Sequence, residues 1–281
     1  MLGGEVTYVV QMPRSRRSFA CRNALIIPLA LAVCSAPLRA AQPDPIFLRF
    51  EIFGGPRLHF LTVNIAVDHT DETYSIRAEA ETRSVADLFL DLRSRLEARG
   101  RVAAGALLPE AMRAETHRRG ADFFTRIDYA ADGSVTAEAS PPPTRPATPV
   151  TPAQMRATID QMTAYLALAR ALASRGSCTL VLAVFDGRRR YDLHFTDAPA
   201  EALPGFAGAT QLCHMSRRRI AGFPSERAGS EVTDLGKLWF ARLLPGDLMI
   251  PVRVEFESEF GAFIAKLAEL RAVGVHMQFK E

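Results

Sequence analysis

Apolar and polar residues alternate along most of this chain, and that period of two is what most limits the folds it can adopt. Alternating segments such as FLRFEIFGG, RLHFLTVNIAVD and TYSIRAEAET follow one another from Asp44 onward and end at turn residues. Because side chains in a β-strand point to opposite faces in turn, each segment can bury one face and hydrate the other. The pattern therefore predicts a mainly β protein built on an antiparallel sheet.

One proline-rich segment, residues 140–152, interrupts the alternation and precedes a different pattern. SPPPTRPATPVTP contains six prolines, and proline is disfavoured in helix interiors and central strands, so this segment is a connector. In TPAQMRATIDQMTAYLALARALASRG, apolar residues then recur at helical spacing, which predicts one amphipathic α-helix over about residues 153–174. Thr151 is placed to cap its start, and Gly176 is placed to end it.

Together these elements predict a single β-rich domain over residues 44–272. We expect an antiparallel β-roll or barrel, similar to a spiral barrel, with the helix packed on it or inside it. Two smaller domains are the alternative that the length allows. The segment LFLDLRSRLEARGRV is expected to continue as a strand, with Leu88, Leu90 and Leu92 alternating against charge after an SVAD turn or helical half-turn.

Composition excludes some classes of protein. The chain has 281 residues, of which 48% are hydrophobic and 23% are charged, so it can bury a sizeable core and is not disordered as a whole. Its net charge of +3 comes from the N-terminus, because residues 1–40 hold five arginines and only one acid. Since the remainder is close to neutral, no nucleic-acid partner is expected.

The first 40 residues are typical of a signal peptide that is cleaved after export. Basic residues from Met12, a possible true start, precede the apolar stretch ALIIPLALAV and the small residues of SAPLRAA. That stretch is too short for a membrane-spanning helix, which needs about 20 residues, and no comparable run follows. We therefore expect a periplasmic protein with no transmembrane segment after signal removal. A lipoprotein cleaved before Cys34 is the alternative.

Export changes the expected chemistry of the cysteines. After removal of the signal, Cys178 and Cys213 are the two cysteines left. In an oxidising compartment such a pair predicts a disulfide bond. A redox dithiol is disfavoured because the Cys-x-x-Cys spacing is absent.

The sequence lacks the common catalytic motifs, so we expect no catalytic residue, no cofactor and no metal site. The histidines are scattered without metal-ligand spacing. Carboxylates do recur at strand spacing and could serve as an acid and base pair in a hydrolase. Ion pairs with arginines of neighbouring strands are the favoured interpretation. These carboxylates are Glu79, Glu81, Glu255, Glu257 and Glu259.

The stretch VFDGRRRYDLHF places three arginines after an Asp-Gly pair and predicts a β-hairpin. If Asp186 and Gly187 form a two-residue turn, Val184 lies opposite Arg189. Arg189 would then lie on the apolar side beside Tyr191 and need oxygen partners there. The candidate ligand-binding residues are therefore Arg189, Tyr191 and Asp186.

Several segments resemble a known family. CTLVLAVFDGRRRYDLHF, the second cysteine in LCHMSRRRIAGF, and KLWFARLLPGDLMIPVRVEFESEFGAFIAKLAEL are similar to the exported Gram-negative family of domain of unknown function 3108. The resemblance covers most of residues 44–271 and implies a periplasmic β-rich domain without an established activity. Members commonly have Asp-Pro where this chain has Asp160 and Gln161, so the helix could instead begin at Asp160 after a turn. The build is more loosely similar to spiral β-barrel proteins that maintain envelope integrity.

Two functions remain open from the sequence. The favoured one is a non-catalytic envelope factor that binds a lipid, a peptide, a polymer segment or another envelope protein. The alternative is a carboxylate-dependent hydrolase that acts on cell-wall or sugar polymers. Convergence of Glu79 or Glu81 with Glu255 or Glu257 across a groove would distinguish the second.

Overall fold

The structure is a computed structural model that describes residues 45–54, 58–142, 148–224, 229–246, 248–258 and 261–279. The strands are β1 Ile46–Gly54, β2 Leu58–His69, β3 Thr73–Thr82, β4 Arg93–Ala103, β5 Ala106–Arg118, β6 Ala121–Tyr129, β7 Val135–Ser140, β8 Leu180–Phe185, β9 Arg190–Asp197, β10 Gln211–Ala221, β11 Glu231–Ala241, β12 Ile250–Ser258, β13 Gly261–Ala272 and β14 Val275–Gln278. The helices are α1 Val85–Leu90, α2 Pro152–Met155 and α3 Gln161–Arg175.

Within this described part of the chain, all fourteen strands belong to one antiparallel sheet. Its order is β7-β6-β5-β4-β3-β2-β1-β13-β12-β11-β10-β9-β8, and β14 pairs with β13. Two meanders, β1 to β7 and β8 to β13, are therefore joined where β1 pairs with β13. The predicted mainly β fold is confirmed. Because β7 and β8 end the strand order and do not pair with each other, the described sheet is a roll and not a closed barrel.

The sheet curls so far that strand β8 packs on the face of β6. Phe185 of β8 is buried in a cluster with Met112 and Ile127 of β5 and β6. In the turn that follows, Gly187 lies so close to Thr125 of β6 that an added Cβ would overlap its side chain. One edge of the sheet therefore lies inside the other, as in a spiral.

Helix α3 lies on the inner side of this curve. Its Thr163 hydroxyl shares a hydrogen bond of 3.0 Å with the Tyr74 hydroxyl on β3. The Tyr165 hydroxyl lies 3.9 Å from the Met215 sulfur on β10, so the helix contacts strands of both meanders. The face of the sheet that packs on α3 is called the inner face below, and the opposite one the outer face.

The predicted helix over about 153–174 is wrong in its first part, and the alternative that the family resemblance implied, a start at Asp160 after a turn, is confirmed. Residues 152–155 form only a short turn of helix, in which Thr151 and Gln154 make the expected capping box. The backbone of Ile159 then pairs with the edge of β8 by accepting from Phe185 and donating to Ala183. Because those groups are used by the sheet, the long helix starts only after Asp160. Asp160 caps it by accepting hydrogen bonds from the backbone N–H groups of residues 162 and 163.

Two further expectations need correction. Residues 85–90 form helix α1 where a strand with alternating leucines was expected, and Leu88 there is 83% exposed. The backbone N–H of Asp91 donates to Asp87 and ends that helix, so β4 begins only at Arg93. The domain also extends past residue 272, because β14 pairs with β13.

The predicted disulfide between Cys178 and Cys213 is confirmed, with 5.8 Å between the two Cα atoms. It ties the start of β8 to β10 across the intervening β9. Both cysteines are fully buried in the main core, which surrounds α3. None of the described helices has the length and apolar character needed to cross a membrane.

Candidate functional site

The sheet has two ends, and the candidate site lies at one of them. Because neighbouring strands are antiparallel, β1, β3, β5, β8, β10 and β12 all run toward the same end. We call it the upper end. The disulfide and the start of β8 lie at the opposite end.

Toward the upper end, the inner face is apolar and only partly buried. Leu48, Ile76 and Ala98, which belong to the buried core, are almost inaccessible to solvent. Nearer the upper end, the side chains that point to the same inner face remain partly accessible to solvent. We call this set the inner apolar wall. It comprises Ile52, Leu61, Val63, Ala78, Ala80, Leu96 and Ala114.

Three arginines surround one aromatic ring on the same side of the sheet. The guanidinium carbons of Arg189, Arg217 and Arg219 lie 5.6, 5.9 and 5.6 Å from the ring centroid of Phe223. Arg217 also lies over the Tyr191 ring, at 5.7 Å. Such distances permit cation–π attraction. We call these three side chains the arginine cluster.

Strand register explains why two of these arginines point inward. Along β10, side chains alternate, and Cys213 faces the interior, where it bonds to Cys178. Counting in twos places Arg217 and Arg219 on the same inner face. Their partners on β9 are Leu193 and Tyr191.

Within the described residues, Asp186 supplies a carboxylate that interacts with Arg189 and Arg217. The Asp186 carboxylate accepts hydrogen bonds from the backbone N–H groups of Arg188 and Arg189, at 3.0 and 2.7 Å. Burial raises the pKa of Asp186, while these hydrogen bonds and the charges of Arg189 and Arg217 act to lower it. Burial likewise raises the pKa of Tyr191 well above its ordinary value, so its ring stays neutral.

Arg217 is the least satisfied member of the cluster. Its Nε atom is buried and has no hydrogen-bond partner within the described residues. No carboxylate among the described side chains lies within ion-pair distance of it. Arg219, by contrast, donates from Nη1 to the Ser230 hydroxyl at 2.9 Å. A buried guanidinium N–H without an acceptor favours an incoming oxygen ligand.

The structure brings the three predicted binding residues together, but with a different turn. Val184 pairs with Tyr191 and Phe185 with Arg190, so residues 186–189 form the turn and Arg189 is exposed within it. The predicted pairing of Arg189 with Val184 is therefore wrong. The reason is the Asp186 side chain, whose hydrogen bonds to two N–H groups stabilise a four-residue turn. The observed pairing is shifted by two residues from the predicted one. Each side chain of the hairpin therefore still lies on the face that was predicted for it.

Sequence reasoning missed Arg217, Arg219 and Phe223. A signal was present, since SRRRIAGF follows the buried Cys213 at a spacing that turns alternate arginines inward. Phe223 carried no such signal, because it lies beyond the end of β10. It is held there by residue 148, whose backbone N–H donates to the Phe223 carbonyl at 2.9 Å.

Glu79 and Glu81 do not converge with Glu255 and Glu257 across a groove. Glu79 lies on the outer face, where Arg95 is its ion-pair partner at 3.4 Å, and Glu81 pairs with Arg83. Glu255 on β12 pairs with Arg253 at 2.6 Å. Strands β3 and β12 are four strand spacings apart, or about 19 Å along the sheet. Glu259 lies outside the described residues.

Glu255 and Glu257 both line a cleft of about 260 Å³. It is lined mainly by outward-facing residues, among them His214, Lys237 and Ile264. Over the ranges that the structure describes, no three His, Cys, Asp or Glu side chains are grouped so that they could hold a metal ion.

Comparison with known proteins gives a family and a likeness of fold. The model of DUF3108, described as a protein of unknown function, matches residues 49–268. No curated protein matches the chain. The crystal structure of a beta-barrel-like protein of domain of unknown function DUF1849 from Brucella abortus is similar, with a TM-score of 0.44 and 9% sequence identity. The match covers 82% of this chain and 98% of that one.

Proposed function

Because this chain belongs to the DUF3108 family of proteins of unknown function, its role has to be inferred from its own geometry, and we propose that it is a non-catalytic, lipid-binding protein of the cell envelope.

The inner apolar wall is the observation that carries this proposal. Soluble proteins bury most of the apolar surface that faces a common interior, yet Ile52, Val63 and Leu96 here are only partly buried. An acyl chain laid against such a wall gains about 0.8 kcal/mol for each CH₂ group that leaves water. The wall is also concave, which is the shape that most ligand sites have.

The envelope location rests on separate support. The predicted signal peptide lies in residues 1–40, outside the described residues, and remains a prediction. The disulfide between Cys178 and Cys213 favours an oxidising compartment. A lipid-binding role fits that location, because envelope lipids need protection from water when they leave a membrane.

The hydrolase alternative has little geometric support. Its acid and base were expected to converge, whereas Glu79 and Glu255 face outward on distant strands and are paired with arginines. A glycosidase needs its two carboxyl groups within about 10 Å of each other.

Lipid binding can be tested on protein purified from the periplasm. Native mass spectrometry should show a co-purifying lipid, and calorimetry should show binding of a short-chain phosphatidylcholine below its micelle concentration. Absence of both signals would contradict the proposal. The intact mass also tests export, because cleavage near Ala40 leaves an unmodified chain, whereas a lipoprotein would keep Cys34 and its acyl chains.

A further inference from the structure

The arginine cluster supports an inference about the polar headgroup of the proposed lipid ligand. Building on the proposed lipid-binding role, we propose that Arg189, Arg217 and Arg219 form an oxyanion site that takes the phosphate of an anionic lipid headgroup. The apolar wall would hold the chains, and the cluster would select the headgroup.

The geometry of the arginines suits a phosphate. A guanidinium that lies over an aromatic ring is held by its face, so its N–H groups at the edge remain available to oxygen acceptors. The guanidiniums of all three arginines lie over the Phe223 ring in this way, and that of Arg217 also lies over the Tyr191 ring. A planar fork of N–H donors matches phosphate oxygens in pairs.

The hydrogen bonding leaves room for an anion. Arg217 Nε is buried without an acceptor, although arginine N–H groups in folded proteins are normally satisfied. The one described carboxylate that interacts with Arg189 and Arg217 belongs to Asp186, and its Oδ1 already accepts from two backbone N–H groups. An oxyanion would supply the missing acceptor in a partly desolvated place, where charge–charge attraction is stronger than in water.

The position of the cluster fits a headgroup beside acyl chains. The turn that contains Arg189 lies against Thr125 of β6. Thr125 pairs with Ala114, a member of the inner apolar wall. Tyr191 and Phe223, over which the arginines lie, also belong to the main core, against which Ile52 and Val63 of the wall pack, so the cluster and the wall border the same core.

Neighbouring arginines provide a matched control. Arg217 points inward, whereas Arg218 is exposed and pairs with Asp192 in the β-ladder. Arg217→Gln and Arg218→Gln remove the same charge one residue apart, on opposite faces of β10. Isothermal titration calorimetry would compare three probes: short-chain phosphatidylglycerol, diacylglycerol with the same chains, which has no phosphate, and inorganic phosphate.

The wild type should bind phosphatidylglycerol about tenfold more tightly than diacylglycerol, as expected for charge-assisted hydrogen bonds to the phosphate. Arg217→Gln should remove most of this preference and leave the affinity for diacylglycerol unchanged. Arg218→Gln should behave as the wild type does. If Arg217→Gln does not fold, Arg189→Gln in the exposed turn should show a smaller loss of the preference for phosphatidylglycerol.

The outcomes separate this inference from the proposed function. Equal affinity for both lipids would overturn the oxyanion site while leaving lipid binding intact. The same conclusion would follow if Arg217→Gln and Arg189→Gln both kept the wild-type preference for phosphatidylglycerol. If neither lipid binds, the lipid-binding role fails. In that case, binding of inorganic phosphate to the wild type but not to Arg217→Gln would still support an oxyanion site, with free phosphate as its ligand. If the wild type does not bind phosphate either, the oxyanion site is refuted.

Discussion

The guanidinium of Arg217 lies over the ring of Tyr191, 5.7 Å from the ring centroid, on the inner face of the sheet. Tyr191 is buried among apolar side chains, so this contact brings a permanent positive charge to the edge of the core. Charges are rarely placed there without a partner, because their desolvation is costly. The contact therefore marks the region where a ligand with negative charge would be most favourable.

Replacing Gly222 should disturb the cluster and the fold together. Gly222 has a φ of 81°, and a Cβ there would overlap the carbonyl of Arg188 in the β8–β9 turn. We expect Gly222→Ala to lower the free energy of unfolding by about 2 to 4 kcal/mol, from backbone strain and overpacking combined. Chemical denaturation measures this loss.

Gly229 offers a control for that variant. It has a similar φ of 75°, but no atom of the described residues lies within 4 Å of its Cβ position. Gly229→Ala should therefore cost only about 1 kcal/mol. Equal losses in the two variants would show that the close approach to Arg188 has no energetic importance.

Removing the disulfide should destabilise the protein without changing its fold. The bond between Cys178 and Cys213 spans a sequence separation of 35 residues. For a loop of this size, Cys178→Ser combined with Cys213→Ser should lower the free energy of unfolding by about 3 to 4 kcal/mol. Urea unfolding of the double variant gives the value, and reduced wild type should match it. An unchanged transition would mean that the bond does not form in the native protein.

Asp160 should make stability depend on pH. Burial raises the pKa of its carboxyl group above the ordinary value, although hydrogen bonds from Thr163 and Met162 oppose the shift. A group whose pKa is raised by folding stabilises the protein below its ordinary pKa, and this contribution is lost as the pH rises through the raised value. Asp160 therefore contributes less stability at neutral pH than at acidic pH.

The variant Asp160→Asn isolates this effect, because its amide oxygen can still accept the N-cap hydrogen bonds but it cannot ionise. Relative to wild type, its free energy of unfolding should rise as the pH is increased from 4 to 8. Urea denaturation at several pH values provides the comparison. A difference that stays constant with pH would contradict the assignment.

Local patterns predicted the features that depend on local chemistry. Alternation identified the strands and their faces, and the capping of Thr151 and the stop at Gly176 were confirmed. The pairing of Cys178 with Cys213 followed from having two cysteines in the exported chain.

The errors arose where distant parts of the chain compete for the same groups. The helix start shifted because the backbone of Ile159 pairs with β8. The hairpin register shifted because the Asp186 side chain replaces backbone partners in the turn. The place of Phe223 in the arginine cluster could not be foreseen, because Phe223 meets Arg189 only after the sheet has curled and residue 148 has fixed the end of β10.

The most direct measurement asks whether the inner face binds the apolar part of a lipid. Ala80 and Glu79 are neighbours on β3 that face inward and outward. Calorimetry with short-chain phosphatidylcholine should show that Ala80→Trp, which fills the space along the inner apolar wall, weakens binding by at least about tenfold, whereas Glu79→Trp leaves it unchanged. Wild-type affinity in a folded Ala80→Trp variant, or an equal loss in both variants, would contradict the account.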